Sequence, residues 1–305
     1  EMSAEWFEKK LDWIKQNQNN NQPFFIATGF IRPHTPLVVP KKYYDKFPLD
    51  KIKITEKLKD DLMDTKFRDN LKETRGHKAW RLLSEGYGSE EKGLKIFTQA
   101  YLASVNFADE MVGRVLNALD KSSFAENTVV ILFSDHGYLL GQKDHLWKYN
   151  LWEETTRVPL IIRQPNNHKN AGKTVNHPVS LIDVFPTISD YCSLKGSTLK
   201  SEKGKNPNGF SLKPFVENPN LKSWDGPEEA LTVVASWKSK FPEKQHIAIR
   251  TNRYRFIKYF DGSEELYDHN KDSNEWKNLA EDKNYKEIIK EMRTRLQKRM
   301  DSYIE

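Results

Sequence analysis

The chain has 305 residues, 30% charged, 37% hydrophobic and 12% aromatic, the composition of a globular protein and not of a disordered tail. Lys and Arg number 49 against 43 Asp and Glu, a net charge of +6 spread along the chain. No arginine-rich arm, zinc-finger spacing or RNA-binding aromatic signature accompanies it, which argues against nucleic acid, whereas a mild positive field suits an anionic substrate. The longest purely aliphatic or aromatic run, Val129–Phe133, falls far short of the roughly 20 apolar residues of a membrane helix. The single cysteine, Cys192, rules out an intrachain disulfide and a cysteine-rich zinc site; a small buried hydrophobe is its expected role. Glu1 opens into a charged amphipathic stretch and not a leader pattern, and no Asn-x-Ser/Thr sequon occurs. At this length one large domain, or one with a small appendage, buries on the order of 75% of the unfolded surface.

In chain order, Trp6, Phe7, Leu11 and Ile14 have helical spacing over 5–16, and an Asn/Gln-rich link, 16–22, follows. The unbroken apolar run Phe24–Phe30 predicts a strand buried on both faces, ending in Arg32-Pro33-His34-Thr35-Pro36. Residues 41–92 are polar and irregular, with short helical patches and little core material. A long helix is predicted over 96–119 from Phe97, Tyr101, Val105, Ala108, Val112, Val115 and Leu119. A second buried strand, Val129–Ser134, runs into Asp135-His136-Gly137, and a third covers Val158–Arg163. A helix over 181–191 precedes a Gly/Pro/Lys/Asn-rich link at 195–227, the best boundary in the chain. Beyond it, Leu231–Trp237, His246–Arg250, Tyr254–Tyr259 and Glu264–Asp268 read as strands of an antiparallel sheet, with Thr251-Asn252-Arg253 as a hairpin turn, and 284–303 as an amphipathic helix. The fold class is α/β with a small antiparallel α+β C-terminal subdomain.

Two polar clusters follow predicted parallel strands: His34 after 24–30, and Asp135-His136 after 129–134. Ligands of open α/β sheets bind beyond the carboxyl ends of the strands. Singly, each residue has a plainer reading. His34 suits a rigid proline loop, Asp135 a helix cap, Lys148 a solvated surface lysine, and His145 either surface or site.

Together they carry more. The runs Phe133-Ser134-Asp135-His136-Gly137-Tyr138-Leu139-Leu140-Gly141, His145-Leu146-Trp147-Lys148, Leu151-Trp152-Glu153 and Thr156-Arg157-Val158-Pro159-Leu160-Ile161 resemble the type I sulfatases of the alkaline-phosphatase superfamily, in particular the iduronate-2-sulfatase-like branch. Gly29-Phe30-Ile31-Arg32-Pro33-His34-Thr35-Pro36, Tyr101–Asp109, Ile182-Asp183 with Pro186-Thr187, and Glu265-Leu266-Tyr267-Asp268 with Asn274-Glu275-Trp276 and Asn278-Leu279-Ala280 extend the likeness in order along nearly the whole chain. Only 41–92 and 195–230 lack a counterpart. The family's opening strand with two adjacent metal-binding aspartates, and its C/S-x-P-x-R segment whose Cys or Ser becomes formylglycine, have none either: Asp60-Asp61 lies in the charged excursion and is rejected as that pair. The resemblance therefore implies the part of a sulfatase after the formylglycine segment. Residues 1–195 would be the C-terminal portion of the catalytic α/β domain with its mostly parallel sheet, 196–227 a linker, and 228–305 the C-terminal subdomain.

The resemblance also implies roles. A calcium ion would be held by Asp135, a hard carboxylate ligand, and by His136, softer than calcium prefers. Lys148 would contact sulfate and the leaving oxygen, a point charge suited to a tetrahedral anion. His34 would bond sulfate and protonate the leaving oxygen. Formylglycine would come from an N-terminal segment or chain of the same sulfatase. Arg32, His77, Trp80, Lys143, His145 and Trp147 are candidates for substrate recognition.

The leading expectation is sulfuric ester hydrolysis on a sulfated carbohydrate, in a periplasmic or extracellular setting inferred from the family's usual substrates, with neither nucleic acid nor membrane as partner. The alternatives are a phosphate or phosphonate monoester hydrolase, since one fold hosts both chemistries, and a non-catalytic glycan-binding relative.

Overall fold

The computed structural model describes residues 1–17, 22–165, 168–194, 208–235, 241 and 244–304. In chain order they form helices α1 (Met2–Asn17), α2 (Lys41–Tyr44), α3 (Arg68–Lys72), α4 (Arg75–Gly86) and α5 (Glu90–Asp120). Strands β1 (Val130–Phe133), β2 (Leu139–Leu140) and β3 (Leu146–Trp147) follow, then α6 (Glu153–Thr156), β4 (Leu160–Arg163), α7 (Val184–Tyr191) and α8 (Lys213–Glu217). The last elements are β5 (Ala230–Val234), β6 (His246–Arg250), β7 (Tyr254–Lys258), β8 (Glu264–Asp268) and α9 (Lys286–Ile304). They divide into two compact units, 1–56 with 81–128, and 57–80 with 129–305.

In the first unit, α1 buries Ala4, Phe7, Leu11 and Ile14 at the i, i+3, i+7 spacing of one helix face and packs on α5. Arg114 of α5 grips Glu8 with two hydrogen bonds, 3.0 and 2.7 Å. α5 starts where Ser89 caps it, its hydroxyl accepting from the Lys92 amide at 3.2 Å, with Glu90 and Glu91 in the first turn favoured by the helix dipole. The strand expected at 24–30 does not form. Residues 22–30 are irregular, because a strand exists only as part of a ladder and the segment has no ladder partner among the described residues. Phe24 instead packs edge-on to Phe124, 5.1 Å between centroids, and Phe25 is exposed.

In the second unit, β1 and β4 pair antiparallel, Val130 with Arg163 through Phe133 with Leu160. Residues 129–134, expected as a parallel strand, pair antiparallel here: the chain returns through β2, β3 and α6 to run back along the same strand. Phe133 and Ile161 remain 46% and 55% exposed. The C-terminal sheet follows sequence order, β5-β6-β7-β8, antiparallel throughout. Thr251–Arg253 form its central turn, the Thr251 amide donating to Tyr254 O at 2.9 Å.

That sheet is covered on both faces. Ile247, Ile249, Phe256 and Leu266 meet Ile289, Met292 and Leu296 of α9. Ala248, Ile257, Tyr259 and Tyr267 meet Leu62, Phe67, Leu71, Leu139, Leu151 and Trp152. Adjacent residues facing opposite cores is the period-2 geometry of a strand, and it explains why these strands read as continuous apolar runs. It also corrects the reading of 41–92 as poor in core material. Leu62, Phe67 and Leu71 were hidden among charged neighbours because they lie in short helical turns, with too few residues for a period to show.

Parts of both expected links, 18–21 and 195–207, lie outside the described residues, as does Trp237 of the strand expected at 231–237. The described part of the second link docks on α7: the Phe210 amide donates to Asp183 (2.9 Å) and the Leu212 amide to the Thr187 hydroxyl (2.8 Å). Cys192 is exposed rather than buried, since it caps the C-terminal end of α7. Among the described residues no helix is long and apolar enough to cross a membrane.

Candidate active site

β1 ends at Phe133, and the next four residues turn sharply against α6. The Gly137 amide donates to Thr155 O at 2.9 Å and the Tyr138 amide to Glu154 O at 2.8 Å. A Cβ on residue 137 would lie 2.1 Å from Glu154 O, so only glycine allows this approach. The turn sets His136. Its Nδ1 lies 2.7 Å from Gly137 O; a carbonyl only accepts, so Nδ1 carries the proton and Nε2 presents a lone pair. Lys148 donates to that lone pair, Nζ to Nε2 2.6 Å. A carboxylate oxygen of Asp135 lies 3.6 Å from the same Nε2, and the Asp135 side chain is 82% exposed. Asp135, His136 and Lys148, twelve positions apart at the extremes of the last pair, thus meet around one nitrogen.

This corner fits part of a calcium site. Two donors bound at right angles to one ion at 2.3–2.6 Å would stand about 3.5 Å apart, close to the observed Asp135–His136 separation. A bound histidine ordinarily donates its other nitrogen to a carbonyl, as His136 does. Calcium takes six to eight oxygens, so this pair supplies only an edge of its shell, and coordination by His136 requires Lys148 to leave Nε2.

Glu153, His269 and Glu275 form the one metal-like cluster found among the described residues, and it is already filled. Arg255 pairs with both carboxylates, its Nε 2.6 Å from Glu275 and a terminal nitrogen on Glu153, while Arg250 reaches Glu153 at 3.0 Å. Burial would raise the Glu153 carboxyl, but Arg255 and Arg250 hold it down to about 2. Two guanidiniums against two carboxylates leave no net charge to attract a cation.

The loop bearing Lys148 is unusual. Gly141 and the non-glycine residues Lys143, Asp144, Trp147 and Tyr149 all have left-handed backbone, φ 114°, 50°, 53°, 72° and 72°. For bulky residues such as Trp147 and Tyr149 that region is an outlier, costing about 1–3 kcal/mol each.

The remaining predicted residues fall into three groups. His34, on an exposed loop in the first unit, donates from Nδ1 to Thr35 O at 2.6 Å. Arg32 ties the same loop, donating to Val38 O (3.0 Å) and His34 O (3.2 Å). His77 is half-buried, bonded to Asp144 O at 3.0 Å, with its ring 5.3 Å from Trp80. The Trp147 indole N–H is buried with no acceptor among the described residues. His145 and Lys143 are corrections. His145 is 1% exposed, held by Lys143 O, Leu71 O and the Thr74 hydroxyl, and burial pushes its imidazole down to about 4. Lys143 is equally buried, paired with Asp61 at 2.9 Å. Both are core residues with no face for a substrate. Their sequence positions suggested a site because they share its loop. Glu153, Arg255 and Glu275 were not singled out for any role, although Glu153 and Glu275 lie in stretches that carry the family resemblance; no local pattern reveals an ion cluster whose members lie over 100 residues apart.

This architecture is that of the sulfatase-like α/β hydrolases, and sequence comparison agrees. The Sulfatase family profile matches residues 2–193, and one described as N-sulphoglucosamine sulphohydrolase, C-terminal, matches 141–302. The chain belongs to the sulfatase family. A sulfatase of Formosa agariphila is 35% identical over 293 residues, covering 94% of this chain and 52% of that protein. An N-acetylglucosamine-6-O-sulfatase of Bacteroides thetaiotaomicron is 31% identical over 209 residues, 68% of this chain and 36% of that protein. A phosphonate monoester hydrolase from Silicibacter pomeroyi shares the fold with a TM-score of 0.77 at 22% identity, covering 95% of this chain and 59% of that one. The chain spans about half the length of the curated relatives it matches.

Proposed function

We propose that this protein is a sulfuric ester hydrolase acting on a sulfated polysaccharide or oligosaccharide. The observation that carries the reading is the meeting of Asp135, His136 and Lys148 at the end of β1, supported by relatives whose names include a sugar sulfatase. In this reading Lys148 neutralises sulfate oxygens, Asp135 and His136 would hold the metal, and His34 gives its proton to the departing sugar oxygen as a nucleophile oxygen bonds to sulfur and the ester S–O bond breaks; with one water consumed overall, the products are an alcohol and sulfate. Calcium and formylglycine would supply, respectively, Lewis-acid neutralisation and the nucleophile. None of residues 1–305 matches the formylglycine segment; we assign it to an N-terminal segment or chain of the same sulfatase. Arg32, His77 and Trp147 remain candidates for the sugar. A periplasmic or extracellular location suits a polymeric substrate. The shared fold of phosphonate monoester hydrolases supports the alternative reading.

Kinetics on a sugar sulfate, an aryl sulfate and a phosphonate monoester test both. The complete enzyme is expected to prefer the sulfates. Lys148→Ala should lower kcat/KM on both sulfates. His34→Ala should cost about 10²–10⁴-fold on the sugar sulfate and far less on the aryl sulfate, whose leaving oxygen scarcely needs a proton. Equal losses on the two would make His34 a sulfate-positioning group only. Preference for the phosphonate would establish the alternative.

A further inference from the structure

The left-handed backbone on both sides of Lys148 persists only if its surroundings determine it, and the surroundings converge on one residue, through its carbonyl at one end of the loop and its carboxylate at the other. Glu275 is fully buried and itself has left-handed backbone, φ 58°. Its carbonyl accepts from Lys143 Nζ at the start of the loop. Its carboxylate accepts from the Glu153 amide at the loop's end, 2.9 Å. The same carboxylate fixes Arg255 at 2.6 Å and His269 at 2.9 Å, and Arg255 donates to Leu151 O at 3.0 Å. Between these ends Trp152 donates its indole N–H to Glu265 at 3.0 Å. Positions 143, 151 and 153 are thereby tied to Glu275 directly or through Arg255, with Lys148 midway.

We propose that Glu275 is a positioning residue: from the segment between β8 and α9 it clamps both ends of loop 141–153 in the conformation that holds Lys148 at the corner it shares with Asp135 and His136. The C-terminal subdomain then belongs to the catalytic apparatus although it contributes no group to the reaction. A cluster that merely glued the sheet to its neighbours would have no reason to meet both flanks of one lysine's loop, nor to be spent where the backbone is most strained. The proposal rests on the reading of Lys148 as the sulfate-binding group.

A double-mutant cycle separates the two in the complete enzyme. Glu275→Gln keeps the side chain's shape and loses its charge. Alone it is expected to lower kcat/KM about tenfold or more; in a Lys148→Ala background the further loss should stay below about threefold, because residues acting through one another are not additive. Amide exchange should accelerate across 141–153, and the ¹⁵N signature of His136 should leave the pure Nδ1–H tautomer. Glu264→Gln, which breaks an exposed pair with Arg293 (2.7 Å) away from the loop, should change none of these. Full additivity, or unchanged exchange and an unchanged His136 tautomer in Glu275→Gln, overturns the proposal. Unchanged kinetics in Lys148→Ala overturns the sulfatase reading instead, and the exchange and tautomer results still decide the clamp. Should Glu275→Gln not fold, Glu275→Asp, which keeps the charge but draws the carboxylate back from the Glu153 amide, runs the same cycle with the same outcomes.

Discussion

One absent methyl group at Gly137 decides where His136 points. Adding it places a carbon 2.1 Å from Glu154 O, so the two segments must part. The backbone bonds Gly137–Thr155 and Tyr138–Glu154 go with them. Each such bond contributes about 1 kcal/mol net and overpacking adds about 1–3 kcal/mol. Gly137→Ala is therefore expected to lower the unfolding free energy by about 3 kcal/mol in urea titrations and to scramble the His136 tautomer; a loss below about 0.5 kcal/mol would contradict the close approach. At this scale the sequence was informative about identity and silent about state. Asp135, His136 and Lys148 stood out because they flank an apolar run and match a motif. The lone pair on Nε2, and the ammonium on it, follow from a carbonyl that only the folded turn brings near.

Among elements, loop 141–153 shows how a histidine in a motif can be structural. His145 is buried, and desolvation lowers its imidazole from 6.5 to about 4. Between those values the unfolded chain binds the proton and the native protein does not, so stability rises with pH across the window: complete above about 6.5, lost as pH falls toward 4. The shift corresponds to about 3 kcal/mol. Asp61, beside it in the same core, opposes this: burial raises its carboxyl to about 6, so its contribution is complete below about 4 and lost as pH rises through 6. A comparison with His145→Gln isolates the histidine. The stability gap between the two proteins should narrow by about 3 kcal/mol from pH 7 to pH 4; a gap independent of pH would show that native His145 takes up its proton as the unfolded chain does. Helices α1, α5, α7 and α9 and strands β5–β8 were legible from their periods, since each buries one stripe or alternates between two cores. The run at 24–30 was not, because pairing depends on a neighbour that local pattern does not contain.

For the whole molecule, the division into two units was the least legible feature. Residues 57–80 leave the first unit and supply Leu62, Phe67 and Leu71 to the core beneath the C-terminal sheet, an interleaving that no composition shift announces. Of the residues proposed for catalysis and metal binding, His34 belongs to one unit and Asp135, His136 and Lys148 to the other. No Cys or Ser stands two positions before any proline in the 305 residues, so the formylglycine pattern is absent from them. Residues 1–305 expressed alone are expected to release no sulfate from an aryl sulfate; measurable release, with the protein's ends verified by mass spectrometry, would remove formylglycine from the account.

The ribbon of β1 and β4 has a consequence for handling the protein. Its two outer edges pair with no other strand among the described residues, and Phe133 and Ile161 face solvent. Unpaired amides and carbonyls beside exposed β-branched and aromatic side chains form a template for a foreign strand. The segment Val129-Val130-Ile131-Leu132-Phe133 has the uncharged, proline-free composition of an amyloid-forming stretch. Arg163, opposite Val130, is the ribbon's sole charged gatekeeper, so concentrated solutions of these residues alone should nucleate cross-β fibrils from this edge.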